Sequence, residues 1–192
     1  MTGVIIAVVA LGIGLVIVML IVTVAGMYNG LVRGRNETKN AWAQIDVQLK
    51  RRCDLVPNLV ETVKGYAAHE RTTLDAVTRA RGAAVAAQTP ETRAQAENAL
   101  TGALRQLMAL AEAYPDLKAN ANFVQLQGSL GEIEDAIQNS RRYYNAVVRD
   151  LNTAVQAFPS NFIASFFRFH PRGYFELDSP RERQAPRVAF GS

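Results

Sequence analysis

The sequence predicts an all-α protein: an N-terminal transmembrane helix followed by an antiparallel up-and-down four-helix bundle with long helices. Three observations predict it. Val4 to Met27 carries no charge and only one hydroxyl, Thr23. Every long apolar pattern after that run steps by three and four residues, the period of a helix face. Strict alternation of apolar and polar residues, the mark of a half-buried strand, is absent.

The span comes first. At ~1.5 Å per residue, Val4–Met27 extends about 36 Å, enough to cross a hydrocarbon core of about 30 Å with some tilt. A core helix of a soluble protein would carry a polar face. A cleaved signal peptide is the closer rival, with Thr23-Val24-Ala25 as a weak cleavage site. Signal cores run to roughly 7–15 apolar residues behind a basic start, and neither holds here. An uncleaved anchor is expected. Arg33, Arg35 and Lys39 follow the run, opposed only by Glu37. The positive-inside rule then places the C-terminal part in the cytoplasm. Gly3/Ala7 and Ala10/Gly14 have the spacing that lets membrane helices pack closely, although small residues are frequent in spans generally.

The helices follow in order. The first stripe is Trp42, Ile45, Leu49, Val56, Leu59, Val63 and Tyr66, and it extends backwards to Leu31 and Tyr28. The span is therefore expected to continue into this helix. Pro57 lies inside the stripe, where it should kink the helix or, with Asp54 as cap, start a new one. Gly65 marks the first corner. The second stripe is Leu74, Val77, Ala80 and Ala84, and the third is Leu100, Leu104, Leu107, Ala111 and Tyr114. Thr89-Pro90-Glu91 between them reads as N-cap, first helical position and first turn. Tyr114-Pro115-Asp116 closes the third helix. The longest stripe runs Phe123, Leu126, Leu130, Ile133, Ile137, Tyr144, Val148, Leu151, Val155 and Phe158, with Ser140 in a polar slot. Leu130 and Ile133 are expected to be fully buried. Connections this short join antiparallel neighbours. The chain thus divides into an anchor over 1–32, a helical bundle over 33–158, an aromatic membrane-proximal segment over 159–178 and a Pro/Arg-rich tail over 179–192.

Composition excludes several classes. Lys and Arg number 21 against 17 Asp and Glu, a net charge of +4 in 192 residues. That is too weak and too dispersed for a nucleic-acid partner. A single cysteine, Cys53, rules out an intrachain disulfide and cysteine-rich zinc sites. His69-Glu70 is followed by Thr73, so no metalloprotease helix begins there. Glu132, Glu134 and Asp135 read as a solvated face. No metal, cofactor or catalytic residue is expected.

Two residue sets stand out as candidates. Phe162, Ile163, Phe166, Phe167 and Phe169, beside Arg168 and Arg172, form a candidate interaction segment suited to a membrane interface or a neighbouring subunit. Asn36, Asn40, Asn58, Asn122 and Asn145 fall on helices, where Asn is a mediocre former. Either they make buried contacts that fix register or a partner surface, or they face solvent.

At these residues the chain resembles the LemA family. The resemblance is carried by Tyr28-Asn29-x-Leu31-Val32-x-x-x-Asn36, by Ala41-Trp42-x-x-Ile45-Asp46-Val47-Gln48-Leu49-Lys50-Arg51-Arg52, and by Asp54-Leu55-Val56-Pro57-Asn58-Leu59-Val60. Ala111-Glu112-x-Tyr114-Pro115-Asp116-Leu117-Lys118-Ala119-Asn120, Arg142-x-Tyr144-Asn145 and Phe158-Pro159-x-Asn161 continue it. Val56, where Ile is common, and the stretch 83–99 depart from the pattern. The resemblance implies a bacterial inner-membrane protein with one span and a cytoplasmic helical bundle. It supplies no activity. Some relatives take part in forming magnetosome membranes. The expected function is a non-enzymatic, self-associating membrane scaffold. The alternative is a regulatory adaptor that presents its bundle or tail to another membrane or cytoplasmic protein.

Overall fold

The structure, a computed structural model, describes residues 1–176. The Pro/Arg-rich stretch 179–192, and the end of the aromatic segment before it, lie outside them. The described residues form helices and no strand: α1 (Thr2–Lys64), α2 (Arg71–Ala86), α3 (Pro90–Ala111), α4 (Pro115–Lys118), α5 (Ala121–Gln156) and α6 (Ser160–Phe166). The expected corners fall at Gly65, Thr89 and Pro115, with α5 ending just before Phe158-Pro159.

α1 runs unbroken through Pro57, so the helix start expected at Asp54–Asn58 does not occur. The reason is local. Proline has no N–H, which leaves the carbonyl four residues back, that of Cys53, without its helical donor. Arg81 of α2 supplies a replacement, its Nε donating to the Cys53 carbonyl at 2.8 Å.

The start of α3 matches its sequence signals. The Thr89 hydroxyl accepts from the Thr92 amide, and the Thr92 hydroxyl accepts from the Thr89 amide, both at 3.2 Å. Pro90 takes the first helical position, where its missing donor costs nothing. Asn120 caps α5 in the same way, its Oδ1 accepting from the Phe123 amide at 3.1 Å.

The chain forms two compact units, each built from parts of both α1 and α5. The first comprises residues 1–43 and 142–174; the second comprises 44–141 with the segment from Phe175. The second unit buries Val56, Leu59 and Val63 of α1, Leu74, Val77 and Ala84 of α2, and Leu100, Leu104 and Leu107 of α3. Leu117 of α4 and Phe123 of α5 complete that core. Leu130 and Ile133 are only half-buried, which corrects the expectation of full burial. The seam of α5 is more open there than toward Ile137, which is fully buried.

Candidate membrane-interface site

In the first unit, the face of α1 just beyond the apolar run meets the end of α5 and the segment after it. Leu31, Leu151, Val155, Ala164 and Phe169 are buried together, with Tyr28, Val32, Ala154 and Ile163 packed against them. Burying a large apolar side chain is worth about 1.5–3 kcal/mol, so this cluster suffices to hold a short segment in place. Gly34 permits a close approach: a Cβ there would meet Leu151 Cδ1 at 3.2 Å.

The α6 segment is fixed at both ends. Ser160 Oγ donates to the carbonyls of Ala154 at 2.6 Å and Ala157 at 3.0 Å. At the other end the Phe169 amide donates to the Ala164 carbonyl at 2.8 Å, and the Arg168 amide donates to that of Ser165 at 3.2 Å. This is the six-to-one and five-to-two pattern of a Schellman cap. Its left-handed position, which favours glycine, is held by Arg168 at φ 58°. The chain then turns back along α5. Asn152 grips the Arg172 backbone twice: its Oδ1 accepts from the Arg172 amide at 2.7 Å, and its Nδ2 donates to the Arg172 carbonyl at 2.9 Å. The Tyr144 hydroxyl donates to the Gly173 carbonyl at 3.1 Å.

The candidate interaction residues divide by face. Phe169 is buried and Ile163 half-buried, while Phe162, Phe166 and Phe167 are exposed, as are Arg168 and Arg172. Phe158, the last residue of the longest stripe, is 80% exposed and joins this outer group, its ring 6.0 Å from that of Phe162. Phe167 packs on Tyr28 with ring centroids 4.7 Å apart. The Arg35 guanidinium lies 5.1 Å over the Phe169 ring. The aromatic segment therefore stands beside the residue that comes directly after the apolar run. Along that run, large side chains from Ile5 to Val22 are exposed, and the helix is long and apolar enough to cross a membrane.

The asparagines lie elsewhere. Asn36, Asn40, Asn58 and Asn122 are exposed and Asn145 is half-buried. A buried polar contact between helices is found in the second unit. Arg52 of α1 is fully buried and forms an ion pair with Glu97 of α3, also fully buried. Its other nitrogen pairs with Glu134 of α5 at 2.8 Å and donates to Thr101 Oγ1 at 3.0 Å. Arg93 extends the cluster to Glu97 at 3.4 Å and Asp46 at 3.1 Å. Cys53 lies next to Arg52 in sequence; burial, and then the charge of Glu97, push its thiol above the usual range. Among the described residues, no group of three or more His, Cys, Asp or Glu side chains is placed to hold a metal ion.

Comparison with known proteins gives consistent matches. The sequence model of the LemA family matches residues 41–190. Protein LemA of Metamycoplasma hominis is 29% identical over 143 residues, covering 72% of this chain and 64% of that protein. Magnetosome protein MamQ 2 of Paramagnetospirillum magneticum is 25% identical over 186 residues, covering 83% of this chain and 68% of that protein. Magnetosome protein MamQ of Magnetospirillum gryphiswaldense is 25% identical over 185 residues with the same coverage. The chain thus spans about two thirds of the length of these relatives.

Proposed function

The chain belongs to the LemA family, and from that premise we propose that it is a membrane-anchored helical scaffold without catalysis. It crosses a bacterial inner membrane once, associates with copies of itself and organises membrane or protein partners. The observation that carries this reading is α1. One helix holds both the uncharged run and, directly after it, the side chains Leu31 and Ala41 that are buried in the first unit. An anchor joined by a loose linker would only tether a domain; a continuous helix presents it at a fixed height. Arg33, Arg35 and Lys39 behind the run support a cytoplasmic location for the helices beyond them. In the second unit we read residues 44–64, α2, α3 and residues 121–141 as the four members of an up-and-down bundle. The magnetosome names of two relatives support a role in organising membrane.

Two measurements test this. A cysteine introduced as Ser192→Cys in a Cys53→Ala background should resist an impermeant thiol reagent in intact cells and react after lysis. Rapid labelling of intact cells overturns the orientation. The detergent-solubilised full chain should have the mass of several copies. A monomer would overturn the self-associating scaffold and favour the adaptor.

A further inference from the structure

We infer that the outer face of the α6 segment seats in the headgroup layer of the leaflet next to Tyr28, and that anionic lipid is the partner it takes there. The inference rests on the anchor proposed above and adds a second membrane contact to it.

The fold holds α6 by its small and medium side chains and leaves the largest ones outside. Ala164 is buried and Ile163 half-buried, whereas Phe162 and Phe166 are 65% and 79% exposed. Phe158, Phe162 and Phe166 recur every four residues, and Phe167 extends them, its ring 5.0 Å from that of Phe166. Four neighbouring phenylalanines form a patch that water does not favour.

Position names what covers it. Phe167 packs on Tyr28, the first residue after the uncharged run. Tyr28 directly follows Met27, so at ~1.5 Å per residue it stands where the apolar part of the helix ends. Interfacial segments sink about 5–10 Å into the boundary of headgroups and acyl chains, and tyrosine is enriched at that level. The ridge therefore lies at the depth where aromatic rings settle.

Charge names the lipid. This unit carries the basic residues Arg33, Arg35, Lys39, Arg142, Arg149, Arg168 and Arg172 against Glu37 and Asp150 as its acidic ones. The same unit of a second copy would bring the same excess of cations against the ridge; an anionic leaflet brings phosphate. Arg168 adds a separate indication. It occupies a left-handed slot at the end of the ridge that glycine would fill with less strain. The arginine there is exposed and follows Phe167 directly in the chain.

The test uses the full chain reconstituted in vesicles, with Phe166→Trp as reporter in a Trp42→Phe background. Val124→Trp in the same background serves as the exposed control, since Val124 is exposed. Helix content at 222 nm confirms folding of each variant. In vesicles containing phosphatidylglycerol, emission from the reporter should be blue-shifted, quenched by lipids brominated near the top of the acyl chain, and protected from iodide. In pure phosphatidylcholine, or with Arg168→Gly, quenching by brominated lipid should fall. Iodide quenching equal to that of the control overturns the inference, and so does protection from both quenchers, which would mean that protein covers the ridge. Lipid quenching unchanged by lipid charge overturns the anionic partner. Flotation with the vesicles is read separately. A chain that fails to float overturns the anchor and this inference together, whereas a floating chain with an iodide-accessible reporter overturns this inference alone.

Discussion

Arg81→Met should be destabilising because of a proline in another helix. Pro57 removes the N–H that would reach the Cys53 carbonyl, and the Arg81 Nε takes its place at 2.8 Å. Cys53 is only 2% exposed, so water is a poor substitute. A hydrogen bond from a charged donor is worth about 1.5–3 kcal/mol. Arg81 is half-buried, so the lower part of that range applies, about 1.5–2 kcal/mol. At this chain length 1 kcal/mol moves Tm by about 2–4 °C, so Arg81→Met should lower it by about 3–8 °C. The decisive measurement is a double-mutant cycle with Pro57→Ala, followed by circular dichroism at 222 nm in detergent. Alanine restores the backbone donor and improves helix propensity, so Pro57→Ala alone should raise Tm. In that background Arg81→Met should cost under about 0.5 kcal/mol, a coupling of about 1 kcal/mol or more. An equal cost in both backgrounds would refute the reasoning and show that Arg81 acts through packing or charge alone.

The buried ions, the cap and the thiol each give a further outcome. Glu97→Ala leaves Arg52 buried with Glu134 as its remaining ion-pair partner and should cost about 3 kcal/mol by urea unfolding, whereas adding Arg52→Leu should recover most of the loss. Arg168→Gly relieves a left-handed residue and should leave Tm unchanged or raise it by a few degrees, for a gain of up to about 1 kcal/mol. The Cys53 thiol is raised by burial first and by Glu97 second, so the folded state holds its proton longer than the unfolded state. Its contribution to stability is therefore complete below the ordinary thiol range, about 8.5, and is lost as pH rises toward the higher folded value. Cys53→Ala should flatten that part of the stability profile, and native Cys53 should react with thiol reagents far more slowly than in urea.

The sequence made the helical class, the long apolar run and the corners legible because each rests on nearest-neighbour chemistry. The Thr89-Pro90 start needs only the residues beside it. The fate of Pro57 was not legible, because the group that relieves it, Arg81, comes from another helix. The ionic cluster did leave a trace. Leu49 and Val56 are seven apart, and Arg52 fills the gap between them in the three-four spacing. Counted backwards from Leu100, the same spacing lands on Glu97 and Arg93. A charge in an apolar slot signals a buried pair, but the pattern cannot say which slots face each other. Of the five asparagines, four are exposed and Asn145 is half-buried, a distinction that helix spacing alone did not make. For the aromatic segment, spacing alone gave one broad face. Only the packing of Phe169 and Ile163 inward separates it from the outer ring set of Phe158, Phe162, Phe166 and Phe167.

The unbroken start of α1 also fixes an angle. A helix turns by about 100° per residue, so the direction of Tyr28, Leu31 and Arg35 sets the direction of every side chain in the run before them. Those three residues meet the α6 segment or the cluster that holds it. One residue inserted after Met27 would swing the whole run by about 100°, whereas seven would bring it back to within about 20°. If α6 rests on the leaflet, α1 is not free to spin in the bilayer. Any neighbouring span then meets one chosen side of this helix, and that side is selected by phenylalanines more than a hundred residues further along the chain.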